Sequence, residues 1–260
     1  QCAGRSHGDS MKKVMTFFQA GDWKNMEASS LTAIKSDGAQ GCFWHMLGFA
    51  CLQQEKLRLA LFALDKASAL LPEEAEVWGH KAVVLNSMGN YVGAEECYQR
   101  SLALVPHQAD LLNKAGVNAL DSGRHADAEH YLKRALELQP DFALAHNNIG
   151  NVYQRLGCLE LALSHYQKAL QINPDFSQAL NNLGCVQQEL GMPEAAVASY
   201  QRALQLKPDY TECLSNLGFA LYELDWQDDA LACFQKSLSL KSDVAEVLCG
   251  LGRVLLKKQR

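Results

Sequence analysis

No run of apolar residues in this chain is long enough to cross a bilayer as a helix, so a membrane span is not expected. Lysine and arginine are dispersed and the net charge is −5, so the basic stripe that nucleic-acid binding requires is missing. Catalytic constellations are missing as well. None of the eight histidines falls in an HExxH pattern or beside a cysteine in a nucleophile motif, and no glycine-rich phosphate loop occurs. The nine cysteines include no CxxC pair and no cluster at zinc-ligand spacing. They read as reduced thiols, most of them at helical positions where a small hydrophobe fits, and they point to a reducing compartment, the cytoplasm. The sequence therefore assigns no catalytic residue, no metal and no cofactor, and the chain reads as a non-enzyme that takes a protein or peptide as partner.

Proline is scarce, and its placement is informative. Five of the six prolines, Pro72, Pro106, Pro140, Pro174 and Pro208, stand 34 residues apart. The sixth, Pro193, follows Gly191 at a favoured first-turn location. Residues 140–173 read PDFALAHNNIGNVYQRLGCLELALSHYQKALQIN, and two further copies of the pattern follow without a gap over 174–207 and 208–241. Within the unit, Pro140 and Asp141 mark a start. Small and apolar residues at helical spacing through Leu144, Ile149, Gly150, Tyr153 and Leu156 predict a first helix. Gly157 ends it, and Leu161, Ala162, Tyr166, Ala169 and Leu170 predict a second. Gly150 and Ala162 are small, so the two helices can approach closely there while Tyr153 and Tyr166 fill the flanks.

A 34-residue helix-turn-helix with this pattern resembles the tetratricopeptide repeat family. The pattern is carried here by Ile149, Gly150, Tyr153, Gly157, Ala162, Tyr166, Ala169 and Pro174, with His146 standing where a large apolar residue is usual. The resemblance implies an all-α, right-handed α-α superhelix (solenoid) of about seven repeats plus a C-terminal helix. The repeats are placed at 7–40, 41–74, 75–108, 109–142, 143–176, 177–210 and 211–244, after a disordered tail over 1–6. Residues 245–260 are expected to form a capping helix or a truncated eighth repeat. The first repeat is degraded, with Val14 at the crossing and Gly38 in place of the proline, and the seventh has Asp225 for the turn glycine and Ser242 for the proline.

In this family the first helices line the concave side, so the resemblance places function there. Asparagine is a poor helix former, yet Asn148, Asn182 and Asn216 hold one position in three successive repeats, with Asn147, Asn151 and Asn181 close by. A side-chain amide offers an acceptor and two donors, which suits a peptide main chain. These six, with Arg155, Gln188 and Lys114, are the expected peptide-binding residues. The alternative is that the asparagines bond to a neighbouring repeat. Repeats five to seven also resemble the superhelical arm of the O-linked N-acetylglucosamine transferase family, where such asparagines bind substrate main chain. At the N-terminal end, Cys42, His45, Met46, Phe49 and Leu52 make the same face mostly apolar, which suits a hydrophobic anchor. The leading reading is an interaction scaffold that binds an extended polypeptide in its groove. The others are the substrate-recognition arm of a larger glycosyltransferase and a self-associating homo-oligomer.

Overall fold

The structure, a computed structural model, describes residues 2–36, 40–241 and 245–258. Every regular element among them is an α-helix. Helices α1 (Cys2–Gln19) and α2 (Trp23–Ser36) form the first pair, followed by α3 (Gly41–Gln53) with α4 (Leu57–Leu70) and α5 (Ala75–Ser87) with α6 (Tyr91–Leu104). Then come α7 (Ala109–Asp121), α8 (His125–Leu138), α9 (Ala143–Arg155), α10 (Leu159–Ile172), α11 (Ser177–Glu189) and α12 (Pro193–Leu206). Helices α13 (Thr211–Glu223), α14 (Gln227–Leu240) and α15 (Ala245–Lys258) complete the chain. From α3 onward, each odd-numbered helix starts 34 residues after the previous one. Among the described residues no helix is long and apolar enough to cross a membrane.

Helix α1 takes in residues 2–6, where a disordered tail is expected from the sequence. No proline interrupts that stretch, so nothing in the backbone stops the helix from running back beyond His7. Gln1, Gly38 and Ser242 lie outside the described residues, as do residues 259 and 260.

Turns between paired helices need a residue in the left-handed region, which costs an ordinary side chain about 1–2 kcal/mol. Gly89, Gly123, Gly157 and Gly191 meet this with φ between 72° and 78°. Asp225, in place of glycine, is held at φ 65° all the same, and Glu55 takes φ 57° at the equivalent place in repeat two. Neighbouring repeats here override a local preference.

The chain divides into two compact units, residues 1–134 and 135–260. In the first, Val14, Met26, Phe43 and Ala50 form one buried cluster, and Leu47, Leu64, Ala67, Val77 and Val84 another. In the second, Tyr200, Leu217, Phe234, Val247 and Val254 lie at the centre. Within a pair, a glycine of the first helix receives a bulky side chain of the second. A methyl group on Gly48 would come within 2.6 Å of Leu64; one on Gly184 would come within 2.5 Å of Tyr200. His146 is buried as expected of its core-type position. Its Nε2–H donates to the Pro140 carbonyl at 3.1 Å, which leaves Nδ1 to accept from His165 Nδ1, also at 3.1 Å.

Candidate functional site

Within each unit, consecutive first helices from α3 to α7 and from α9 to α13 lie side by side, and polar residues pair across repeats in one register. The sixth residue of one repeat reaches the fifth residue of the repeat before it. Asn182 Nδ2 donates to Asn147 Oδ1 at 3.0 Å, and Asn216 Nδ2 to Asn181 Oδ1 at 3.1 Å. His80 Nδ1 and His45 Nε2, 2.8 Å apart, form the same rung in the first unit. A second row runs nearer the helix ends, where Gln188 Nε2 donates to Glu223 Oε1 at 2.8 Å and Gln154 to Glu189. Asn182 and Asn216 are thus ties between repeats. Asn147 and Asn181 have no exposed surface, which removes them from any direct contact with a ligand, and Asn148 is buried too. Full pairing is what makes such burial tolerable for an amide.

The ties consume donors and leave acceptors. Both amide hydrogens of Asn182 are engaged, by Asn147 Oδ1 and by Asn151 Oδ1 at 3.0 Å. Those of Asn216 go to Asn181 Oδ1 and to the Cys185 sulfur at 3.4 Å. Among the described residues no donor reaches the Oδ1 of either. Asn182, Asn151, Gln154, Arg155, Gln178 and Glu189 line one shallow groove of the second unit, and Asn216 lines another with Tyr210, Ser215 and Lys241. Arg155 is exposed, while Gln188 accepts from the buried Tyr200 hydroxyl at 3.2 Å as well as donating to Glu223.

One rung is missing in the first unit. Lys114 is the sixth residue of repeat four, and the fifth of repeat three is Gly79, which offers it no side chain. Lys114 turns instead to Asp110 on its own helix, 2.6 Å away. In the space that Gly79 leaves, a cavity of about 510 Å³ opens, and Met15, Phe18, Met46, Phe49, His80 and Leu111 supply much of its wall. Lys114, Glu76 and Asp110 line it as well. Of the five residues that make the N-terminal face apolar in sequence, His45, Met46 and Phe49 line the cavity, whereas Cys42 and Leu52 pack against the cores beneath. Met15, Phe18 and Gly79 are absent from the expected site; the signal for Gly79 is a blank in a column that carries His45, Asn113, Asn147, Asn181 and Ser215 elsewhere.

The cavity's imidazoles are uncharged. Burial, reinforced by repulsion from His45 whenever that ring is protonated and from Lys114, pushes His80 down to about 3, and burial lowers His45 against the pull of Glu74. The Phe49 ring lies over His80 with centroids 4.7 Å apart. In the unfolded chain His80 takes up its proton near 6.5, whereas in the fold it resists to about 3. Stability is therefore whole above 6.5 and is lost as pH falls through that window. Urea midpoints should drop on going from about pH 7 to about pH 4.5, and His80→Asn should flatten that slope.

Burial raises the Cys185 thiol and pushes Cys51 and Cys233 up to about 11, the opposite of a nucleophile. Cysteines from Cys42 onward are free thiols, and among the described residues no group of three or more potential metal ligands converges.

Stacked helix pairs with a pocketed first-helix face define a repeat-built α-helical protein. A family model for the tetratricopeptide repeat matches residues 73–141 and 141–209, and a second matches 211–244. The matches cover more than half of the chain, and the chain belongs to the tetratricopeptide repeat family. A comparison with curated protein sequences gave no match. Among solved structures, the fold is similar to a tetratricopeptide repeat protein from Parabacteroides merdae (TM-score 0.78, 16% identity, 96% of this chain and 99% of that one). It is similar to a chain of the APC/C hetero-tetramer Cut9–Hcn1 (TM-score 0.80, 19% identity, 93% of this chain), of which this chain spans only 48%. It also resembles MamA (TM-score 0.55, 25% identity, 63% of this chain and 94% of that one). Tetratricopeptide repeats are generally non-catalytic and serve as protein-interaction scaffolds.

Proposed function

We propose that this chain binds a polypeptide on its first-helix faces, and that the cavity beside Gly79 takes an apolar anchor side chain. The observation that carries this is the missing rung. At His45, Asn147 and Asn181 the column holds a polar side chain tied to the next repeat. At Gly79 the column is blank, and the space is walled by methionine and phenylalanine rather than closed by a larger core residue. Methionine adapts its shape to different partners, and burying one large apolar side chain is worth about 1.5–3 kcal/mol. Glu76 and Asp110 against Lys114 leave the rim slightly acidic, which favours a cationic residue beside the anchor. The second unit contributes by itself in another way. Its Asn182 and Asn216 oxygens accept hydrogen bonds, so they suit main-chain N–H groups of an extended segment and read little of its side chains.

The test is Gly79→Leu. A methyl group at Gly79 would meet Leu111 and Ser101 at 3.5 and 3.6 Å, ordinary contact distances, and removing a mid-helix glycine favours the helix by about 1 kcal/mol. The variant should fold and melt at or above the wild-type temperature, with the leucine occupying the cavity. Peptides selected on the wild-type protein from a random library should bind it about tenfold or more weakly. Equal binding by both proteins would remove the cavity from the function.

A further inference from the structure

We propose that the anchor taken by the cavity beside Gly79 is a tyrosine side chain, whose hydroxyl bonds to His80 of the cavity wall. The proposal rests on the cavity receiving an anchor from a bound polypeptide, and it names that anchor.

The wall selects a ring. Its flat side chains stand in a row. Phe18 and Phe49 have ring centroids 5.6 Å apart and planes tilted by 54°. Phe49 and His80 follow at 4.7 Å and 51°, then His80 and His45 at 5.1 Å and 34°. Met15 and Met46 belong to the same wall. Aromatic rings pack against one another offset or edge to face, and a thioether favours a ring edge. Such a wall suits an aromatic anchor better than a branched aliphatic one. Its volume of about 510 Å³ is within the usual range of ligand pockets.

The polar atoms then select a hydroxyl. Both imidazoles are neutral, so each carries one proton on its two nitrogens. His45 Nε2 and His80 Nδ1, 2.8 Å apart, share one hydrogen bond, which can run either way. When His45 donates, His80 keeps its own proton on Nε2 and offers a donor there. When His80 donates, its Nε2 is bare and offers an acceptor. In neither case does His80 Nε2 have a partner among the described residues. An anchor that fills the cavity takes water away from this nitrogen. Phenylalanine, leucine or methionine would leave it unmet, and an unmet buried polar group is costly. An indole N–H donates and cannot accept, so tryptophan satisfies only the bare form. A phenol hydroxyl does both, so tyrosine pairs with His80 in either form. A carboxylate anchor finds no free cation, because Lys114 is paired with Asp110 at 2.6 Å.

Peptides selected on the wild-type protein from a random library are counter-screened on Gly79→Leu, and those that lose binding there are sequenced. They should share a tyrosine at one position. Phenylalanine in its place should weaken binding to the wild-type protein about tenfold. His80→Phe keeps a ring and removes the nitrogen, so it should bind the two peptides equally. Because that variant also unties His45, the same comparison is made on the wild-type protein by nitrogen magnetic resonance. The His80 Nε2 signal should move far more with the tyrosine peptide than with the phenylalanine one. A shared leucine, methionine, phenylalanine or tryptophan, or equal binding of the two peptides by the wild-type protein, would overturn the assignment of tyrosine and leave the anchor itself standing. If no selected peptide loses binding on Gly79→Leu, the anchor falls and this proposal falls with it.

Discussion

Leucine in place of Gly150 is expected to cost the fold about 1–3 kcal/mol, the range for overpacking a close-fitted core. Even a methyl group there would come within 2.6 Å of the Tyr166 ring. Tyr166 is wholly buried, and its hydroxyl donates at 2.7 Å to Asn151 and lies 2.9 Å from the Gln154 oxygen. The ring cannot turn aside without losing that hydroxyl's partners. Asn151 also accepts from Asn182, so the disturbance reaches the next repeat. Urea unfolding should show the loss as a lower midpoint with an unchanged slope. A midpoint equal to wild type would mean that the helices do not cross at Gly150. Leucine at Gly252, the equivalent place in α15, is the internal control, because among the described residues no neighbour stands there.

Glu95→Ala is the second large effect, with an expected loss of about 2–3 kcal/mol. Glu95 lies on the second helix of repeat three and is only 9% exposed. Its carboxylate accepts from the Tyr131 hydroxyl at 2.6 Å, Arg124 Nη2 at 2.9 Å, Gln99 Nε2 at 3.0 Å and Asn118 Nδ2 at 3.3 Å. Truncation strands several donors at once, the buried Asn118 among them. Arg124 keeps 36% of its side chain exposed and can return to water, which holds the cost below that of a fully buried pair. Burial alone would raise the Glu95 pKa. The hydrogen bonds from Tyr131, Arg124 and Gln99 and the charge of Arg124 outweigh it and leave the carboxyl below its ordinary value. Its stabilisation is therefore complete above about 4.5 and is lost as pH falls through the folded value. This lies below the onset for His80, so Glu95→Ala should remove the lower part of the acid slope and spare the upper part.

The architecture was legible because a 34-residue period states its own register. Prolines, turn glycines and small crossing residues each recur at that spacing, and helices form where all three agree. Two turns show that the period outweighs a local exception, since Glu55 and Asp225 are held in a conformation that favours glycine. The N-terminal tail was not legible. Residues 2–6 carry no repeat signal, and their helix only extends one that begins further on.

The site was legible only in part. A run of mid-helix asparagines draws attention to the first-helix face. It does not tell whether the amides look outward or sideways. The spacing that decides this is 35 residues, one more than the period, and it has meaning only once neighbouring first helices are known to lie abreast. Asn147 and Asn181 are therefore ties rather than ligands, and Asn182 and Asn216 keep only their oxygens for a partner. The cavity was hidden for a different reason. It comes from a residue that is small where its equivalents are not, and nothing in the local sequence around Gly79 looks exceptional in a helix.

The most direct test of the account places a photo-crosslinking amino acid at Met46, in the cavity wall, and in a second protein at Lys66, on the second helix of the same repeat. Each is irradiated with a peptide selected on the wild-type protein. Crosslinking from Met46 but not Lys66, mapping to one large apolar residue of the peptide and lost in Gly79→Leu, is the expected result. Crosslinking from Lys66 with none from Met46 would place the partner on the second-helix side and contradict the account.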